Sequence, residues 1–212
     1  MRAVVFVNGE IADYGATARW LHRDDYRIAA DGGARHMETL GLSPDVIVGD
    51  LDSIDEGLLA RLRGEGAAVE RHPAAKAATD LELAIARAVR DGATEILLIG
   101  ALGGRLDQTL ANLLILAQRN WDVPLAVAEG DQLARLLRGP EVLTLTGPTG
   151  CYVSAVALSE EVTGITYRGL EYPLVDATLR LGSTRGVSNT LTSSPARISI
   201  DTGILLVIQQ FP

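Results

Sequence analysis

The chain repeats one rhythm: a short apolar run that closes on a carboxylate, a glycine or another polar residue, then a stretch with helical spacing. Ala3–Asn8, Arg27–Asp31, Asp45–Gly49, Ala68–Arg71, Glu95–Gly100 and Leu125–Glu129 read as strands. Tyr14–His22, Ala34–Leu40, Glu56–Arg63, Asp80–Arg90 and Leu106–Arg119 read as the helices between them. Alternation at this spacing predicts βα units and a mostly parallel sheet with helices on both faces. The helix at Asp80 has the fullest signature. Thr79 and Glu82 form a capping box, and Leu81, Ile85, Ala88 and Val89 make an apolar stripe.

After Glu129 the rhythm changes. Leu133–Leu137, Glu141–Leu145, Tyr152–Leu158, Gly164–Tyr167, Ala177–Leu181, Ala196–Asp201 and Ile204–Gln210 read as short strands, separated by Gly/Pro/Ser/Asp turn signals and no helix. The predicted fold class is therefore α/β. A parallel-sheet nucleotide-binding domain over residues 1–128 is followed by a small all-β sandwich or barrel-like domain over 129–212.

Composition narrows the partners. A formal charge of −8 disfavours nucleic acid and anionic membranes, which both need a basic face. No stretch reaches the roughly 18 apolar residues of a membrane span, and the opening apolar run is too short for a secretory signal. The one cysteine, Cys151, leaves no internal disulfide and fits a reducing compartment, so a cytoplasmic location is expected. The three histidines, His22, His36 and His72, lack metal-ligand spacing and read as packing or surface residues. Lys76 is the single lysine beside 18 arginines, which suggests that a compact ammonium has a specific use there.

In open α/β sheets, ligands bind beyond the carboxyl ends of the strands. The polar clusters of the first half fall at such ends: Asn8-Gly9, Asp31-Gly32-Gly33, Gly49-Asp50-Leu51-Asp52-Ser53, Lys76 with Thr79-Asp80, and Gly103-Gly104-Arg105-Leu106-Asp107-Gln108. Paired carboxylates can hold a hard divalent cation, and glycines let a phosphate approach the backbone. Each cluster also has a plain reading as a turn or a helix cap. Neither a P-loop nor a G-x-G-x-x-G fingerprint is present.

Together these segments resemble the thiamine pyrophosphokinase family. The match runs from Asp31-Gly32-Gly33 and Gly41-Leu42-Ser43-Pro44-Asp45 through the Asp50/Asp52, Thr79-Asp80-Leu81-Glu82 and Gly103–Gln108 segments. It continues into Gly169-Leu170-Glu171-Tyr172-Pro173-Leu174 and Ser188-Asn189. The resemblance implies transfer of a diphosphate from ATP to the hydroxyl of thiamine, with attack at the β-phosphorus and release of AMP. It implies Mg²⁺ on Asp50, Asp52 and Asp80, with Lys76 and Arg105 supplying positive charge. Asn8, Asp31, Gly32, Gly33, Gly103, Gly104, Arg105, Asp107 and Gln108 would attend the nucleotide. Asp107, Tyr172, Ser188 and Asn189 would attend thiamine, and the chain would act as a homodimer.

Two departures stand out. Ala77 and Ala78 follow Lys76 where many relatives carry an acidic residue. Thr190, Leu191 and Thr192 follow Ser188-Asn189 where some carry an aromatic, leaving Tyr172 as the substitute. A pyrophosphokinase for another heterocyclic alcohol, such as a pterin, and a non-catalytic ATP sensor stay open as alternatives.

Overall fold

The computed structural model describes residues 1–75, 77–118 and 121–212, in two compact units, Met1–Gly130 and Asp131–Pro212. In the first unit the strands are β1 (Arg2–Phe6), β2 (Tyr26–Ala30), β3 (Val46–Gly49), β4 (Ala68–Arg71), β5 (Glu95–Ile99) and β6 (Leu125–Glu129). They pair in parallel in the order β6-β5-β1-β2-β3-β4. Val4, Phe6, Ile28, Ile47 and Leu98 are fully buried, as befits strands covered on both faces.

The helices are α1 (Tyr14–Ala18), α2 (Ala34–Thr39), α3 (Glu56–Gly64), α4 (Asp80–Arg90) and α5 (Leu106–Gln118). Thr79 caps α4, its side chain accepting from Glu82 N, and Leu81, Ala84, Ile85 and Ala88 bury one face of that helix. The first helix is shorter than the predicted Tyr14–His22. The Arg2 guanidinium donates to the Trp20 carbonyl at 2.6 Å, and the Asp25 carboxylate accepts from His22 N at 2.6 Å. These contacts hold the chain in a turn where a helix would otherwise continue.

The second unit is all β. Strands β7 (Gln132–Arg138), β9 (Tyr152–Ala157), β12 (Asn189–Thr190) and β14 (Ile204–Gln210) pair antiparallel in the order β12-β9-β14-β7. Strands β8 (Glu141–Leu145), β10 (Glu161–Arg168), β11 (Ala177–Arg180) and β13 (Ala196–Ile200) form a second antiparallel sheet, β11-β10-β13-β8. Inward residues of both sheets, among them Leu137, Val153, Ala155, Val162, Ile165, Ile198 and Val207, share one apolar core. The unit is thus a sandwich. Strand β12 is absent from the sequence reading because two residues carry no periodicity; its pairing with β9 creates it.

Candidate active site

Two strand ends of the first unit converge on a set of carboxylates. Asp31, Asp50 and Asp52 each bring an oxygen to within 4.8 Å of the others. Asp31 opens a single 3₁₀ turn, Asp31–Gly33, directly after β2; Asp50 and Asp52 follow β3. Two residues at this corner, Asp31 (φ 46°) and Leu51 (φ 69°), adopt left-handed backbone that non-glycine residues pay for in strain. Leu51 is buried while Asp52 is exposed, so the turn anchors its apolar member and presents its carboxylates.

Asp31 is the most constrained of the three. It is buried, and its Oδ1 has no hydrogen-bond partner among the described residues. Burial pushes its carboxyl above the ordinary range; the Ser53 hydroxyl and Gly32 N–H oppose this, and the Asp80 and Asp50 charges add to it. Asp80, the first residue of α4, belongs to the same neighbourhood: a Cβ on Gly49 would lie 3.0 Å from the Asp31 Cβ and 3.1 Å from Asp80 Oδ1. Asp31, Asp50 and Asp52 form the three-carboxylate group, with Asp80 alongside. Around them, Ser53 Oγ donates to Asp52 Oδ1 at 2.9 Å and Asp52 N to Asp50 Oδ1 at 3.3 Å.

The glycines after β2 have a packing reason. A Cβ on Gly33 would fall 2.1 Å from the Phe6 carbonyl, and one on Gly32 would meet the Asn8 side chain at 2.5 Å. Both positions let the turn lie against the end of β1, and they seat Asn8 over Gly32. Gly103 and Gly104 have positive φ (79° and 67°) and lie exposed before α5. Arg105 is forked onto Asp107, Nε to Oδ1 at 3.1 Å and Nη2 to Oδ2 at 2.6 Å, with both side chains exposed. That hydrogen bonding holds Asp107 below, and Arg105 above, their ordinary values. Gln108 is exposed in the first turn of α5, its N–H donating to Asp107 Oδ1 at 2.9 Å. Lys76 lies outside the described residues.

Among the described residues, cavities open at the strand ends. One, of about 390 Å³, runs between Gly32, Arg35, Ser53 and Arg61. Another, of about 540 Å³, is bordered by Gly9, Ala12, Tyr14, Arg35, Leu102 and Glu129. Buried His36 fixes the wall of the second. Its Nε2 donates to the Gly9 carbonyl at 3.0 Å, so its Nδ1 accepts from the Tyr14 hydroxyl at 2.7 Å. Burial lowers its pKa, consistent with a neutral packing residue. Arg35 and Glu129 escaped the sequence reading. Glu129 could have been found by the rule that found the others, since it closes a strand at the carboxyl edge.

In the second unit, residues expected at thiamine come together. Asn189 Oδ1 accepts from Tyr172 N at 3.0 Å, and its Nδ2 donates to the Tyr172 carbonyl at 2.8 Å. Asn189 is buried and clamps the loop that presents Tyr172, whose side chain is 62% exposed. Ser188 is exposed at φ 63°, its N–H on Ser154 Oγ at 3.1 Å.

Comparison with known families places both units. Residues 17–126 match the family model described as "Thiamin pyrophosphokinase, catalytic domain", more than half of the chain, and residues 140–205 match "Thiamin pyrophosphokinase, vitamin B1 binding domain". The chain belongs to the thiamin pyrophosphokinase family. A thiamine pyrophosphokinase of Bacillus subtilis is 29% identical over 183 residues, 86% of each chain. A crystal structure of the thiamine pyrophosphokinase from Bacillus subtilis superposes with a TM-score of 0.88 at 25% identity, covering 100% of both chains. The thiamin pyrophosphokinase of Geobacillus thermodenitrificans superposes at 0.84 and 28% identity, over 100% of this chain and 98% of that one. In thiamin pyrophosphokinase terms, the acidic corner lies in the unit matching the catalytic model, and the Tyr172–Asn189 clamp in the unit matching the vitamin B1 binding model.

Proposed function

We propose that this chain is a thiamine diphosphokinase that works through the carboxylate corner at Asp31, Asp50 and Asp52. In the reaction, the thiamine hydroxyl oxygen bonds to the β-phosphorus of ATP. The bond from that phosphorus to the α,β-bridging oxygen breaks, AMP leaves, and the hydroxyl proton is released. The observation that carries the reading is the buried Asp31 Oδ1, without a partner among the described residues, inside a three-carboxylate cluster. Such a set is costly unless a cation joins it, and an all-oxygen donor set suits Mg²⁺. Asp31, Asp50 and Asp52 would hold the ion, with Asp80 beside them. Bound there, Mg²⁺ supplies positive charge against the phosphate oxygens.

The remaining roles fall to the chain's own groups. Arg105 turns its fork from Asp107 to a phosphate, and Lys76 adds a point charge. Asn8, Gly32 and Gly33 form the floor under the phosphates, and Gly103, Gly104, Asp107 and Gln108 border the nucleotide. Ser188 and Tyr172 contact thiamine, and Asn189 holds Tyr172 in place.

The assembly we propose is a homodimer. Leu106, Leu110 and Leu114 are 83%, 57% and 43% exposed along one stripe of α5, an apolar face suited to a second copy. Among the described residues no helix is long and apolar enough to cross a membrane, and we place the enzyme in the cytoplasm.

The deciding assay incubates the protein with ATP, Mg²⁺ and thiamine and identifies products by mass. Thiamine-dependent AMP together with thiamine diphosphate is expected. ADP as the nucleotide product would overturn the reading, since it means attack at the γ-phosphorus.

A further inference from the structure

The order β6-β5-β1-β2-β3-β4 reverses its direction of growth between β1 and β5. Beyond the carboxyl ends of those two strands lies the 540 Å³ cavity, bordered by Gly9 from one and Leu102 from the other. A reversal point of this kind is where open parallel sheets receive ligands. The walls are largely apolar, with Ile11, Ala12 and Leu102, and Glu129 brings a carboxylate from the end of β6. That carboxylate accepts from the Ala12 backbone N–H, while its Oε2 is buried with no hydrogen-bond partner among the described residues. Desolvation disfavours the charge and outweighs the Ala12 N–H, so the Glu129 carboxyl is pushed up. Among the described residues, the cavity thus holds one buried acceptor without a partner, on a lining that also carries Glu10, Tyr14, Arg35 and His36.

We propose that Glu129 is a specificity-determining residue that accepts hydrogen bonds from the ribose cis-diol of the nucleotide. An ionised carboxylate only accepts. The ribose offers two adjacent hydroxyl donors. The adenine edge sets its amino donor between ring-nitrogen acceptors, which repel a carboxylate. The cavity also leads toward the reacting groups. Arg35 borders it and also borders the 390 Å³ cavity that reaches Gly32 and Ser53, and Ser53 donates to Asp52. A nucleoside seated against Glu129 therefore points its phosphates along Arg35 toward the carboxylate corner. The inference rests on ATP being the phosphate donor, as proposed above.

The test compares ATP with 2′-deoxy-ATP and 3′-deoxy-ATP in the wild type, Glu129→Gln and Glu129→Ala. Steady-state AMP release gives kcat and KM, and calorimetry without thiamine gives the nucleotide Kd. The wild type should prefer ATP over a deoxy analogue by about tenfold or more, through KM and Kd with kcat little changed. Glu129→Ala should raise the ATP Kd by a similar factor and bring the deoxy preference to within about twofold. A preserved preference in a Glu129→Ala protein with wild-type circular dichroism and Tm overturns the proposal. Should that variant fail to fold, the near-isosteric Glu129→Gln carries the same comparison. If no nucleotide is turned over, the diphosphate-transfer reading fails, and the calorimetric preference still decides the role of Glu129.

Discussion

Asp31 and Asp52 sit in one carboxylate cluster but in opposite surroundings, so the same change at each should give different results. Asp31 is buried, its Oδ1 without a partner among the described residues, and Asp52 is exposed. Because burial and the neighbouring carboxylates raise the Asp31 carboxyl above its ordinary 3.8, the fold holds that proton more tightly than the unfolded chain does. The ion-free protein therefore loses stability as pH rises through the window above 3.8. Asp31→Asn removes a charge, tolerates the left-handed backbone at φ 46°, and offers an amide donor to its acidic neighbours. Its Tm without Mg²⁺ should rise by about 2–4 °C, the equivalent of about 1 kcal/mol in a chain this size, and its Mg²⁺-induced shift should shrink. Asp52→Asn should leave the ion-free Tm near the wild type while lowering kcat at least about a hundredfold. Thermal melts with and without Mg²⁺, paired with the AMP assay, check both. A lower ion-free Tm in Asp31→Asn would show that this carboxylate is needed by the fold rather than by an ion. The sequence placed all these residues at strand ends, and the family resemblance gave the Mg²⁺ ligands as Asp50, Asp52 and Asp80, with Asp31 open as a further ligand. The grouping with Asp31 depends on left-handed turns at Asp31 and Leu51, which no local glycine announces. The glycines it did announce, Gly32 and Gly33, are explained by the closeness of β1.

Helix α4 carries Asp80 to the site, and its far end is tied to the sheet by charge. Glu70 on β4 accepts from Arg87 at 2.7 Å, Arg90 at 2.7 Å and His72 at 3.0 Å, while Asp91 accepts from Arg87 and the Tyr26 hydroxyl. Burial alone would raise both carboxyls, but these hydrogen bonds outweigh it and hold Glu70 and Asp91 below their ordinary 4.5 and 3.8. A depressed folded value means stability that is present above the ordinary value and lost as pH falls through the folded one. Arg87→Ala should thus cost about 1–2 kcal/mol at neutral pH, and less at about pH 3, below both ordinary values. Urea melts at the two pH values measure it, and an equal cost at both would assign Arg87 to packing alone. The helix itself was legible: Thr79, Glu82 and the apolar stripe predict Asp80–Arg90, and the structure has those bounds. The ion-pair network was not, because Tyr26, Glu70 and Arg87 are far apart in the chain and meet only once β2, β4 and α4 have packed. The same reason shortened α1, where Arg2 and Asp25 reach in from outside the helical pattern.

The class of the whole molecule was readable because both units obey strong periodicities: alternation of strand and helix in one, closely spaced short strands in the other. An assembly surface has no such period, and the stripe Leu106, Leu110 and Leu114 hides within an ordinary amphipathic pattern. The structure separates it from the core face of α5, where Ile115 and Leu116 are buried and Asn112 donates to the Ala101 carbonyl at 2.7 Å. With that face already satisfied, the exposed leucines are dispensable for folding, and a charge there should act on association alone. Covering a leucine is worth about 1.5–3 kcal/mol when complete. The double variant Leu110→Glu/Leu114→Glu, which also sets two like charges opposite their copies, should therefore weaken a dimer by at least about a hundredfold. Light scattering on a size-exclusion column should give a dimer for the wild type at micromolar concentration and a monomer for the variant, with unchanged circular dichroism. A wild-type monomer would remove the dimer proposal. A variant that stays dimeric would keep the dimer but move its contact away from α5, and the kcat of a true monomer would then tell whether each site is complete within one chain.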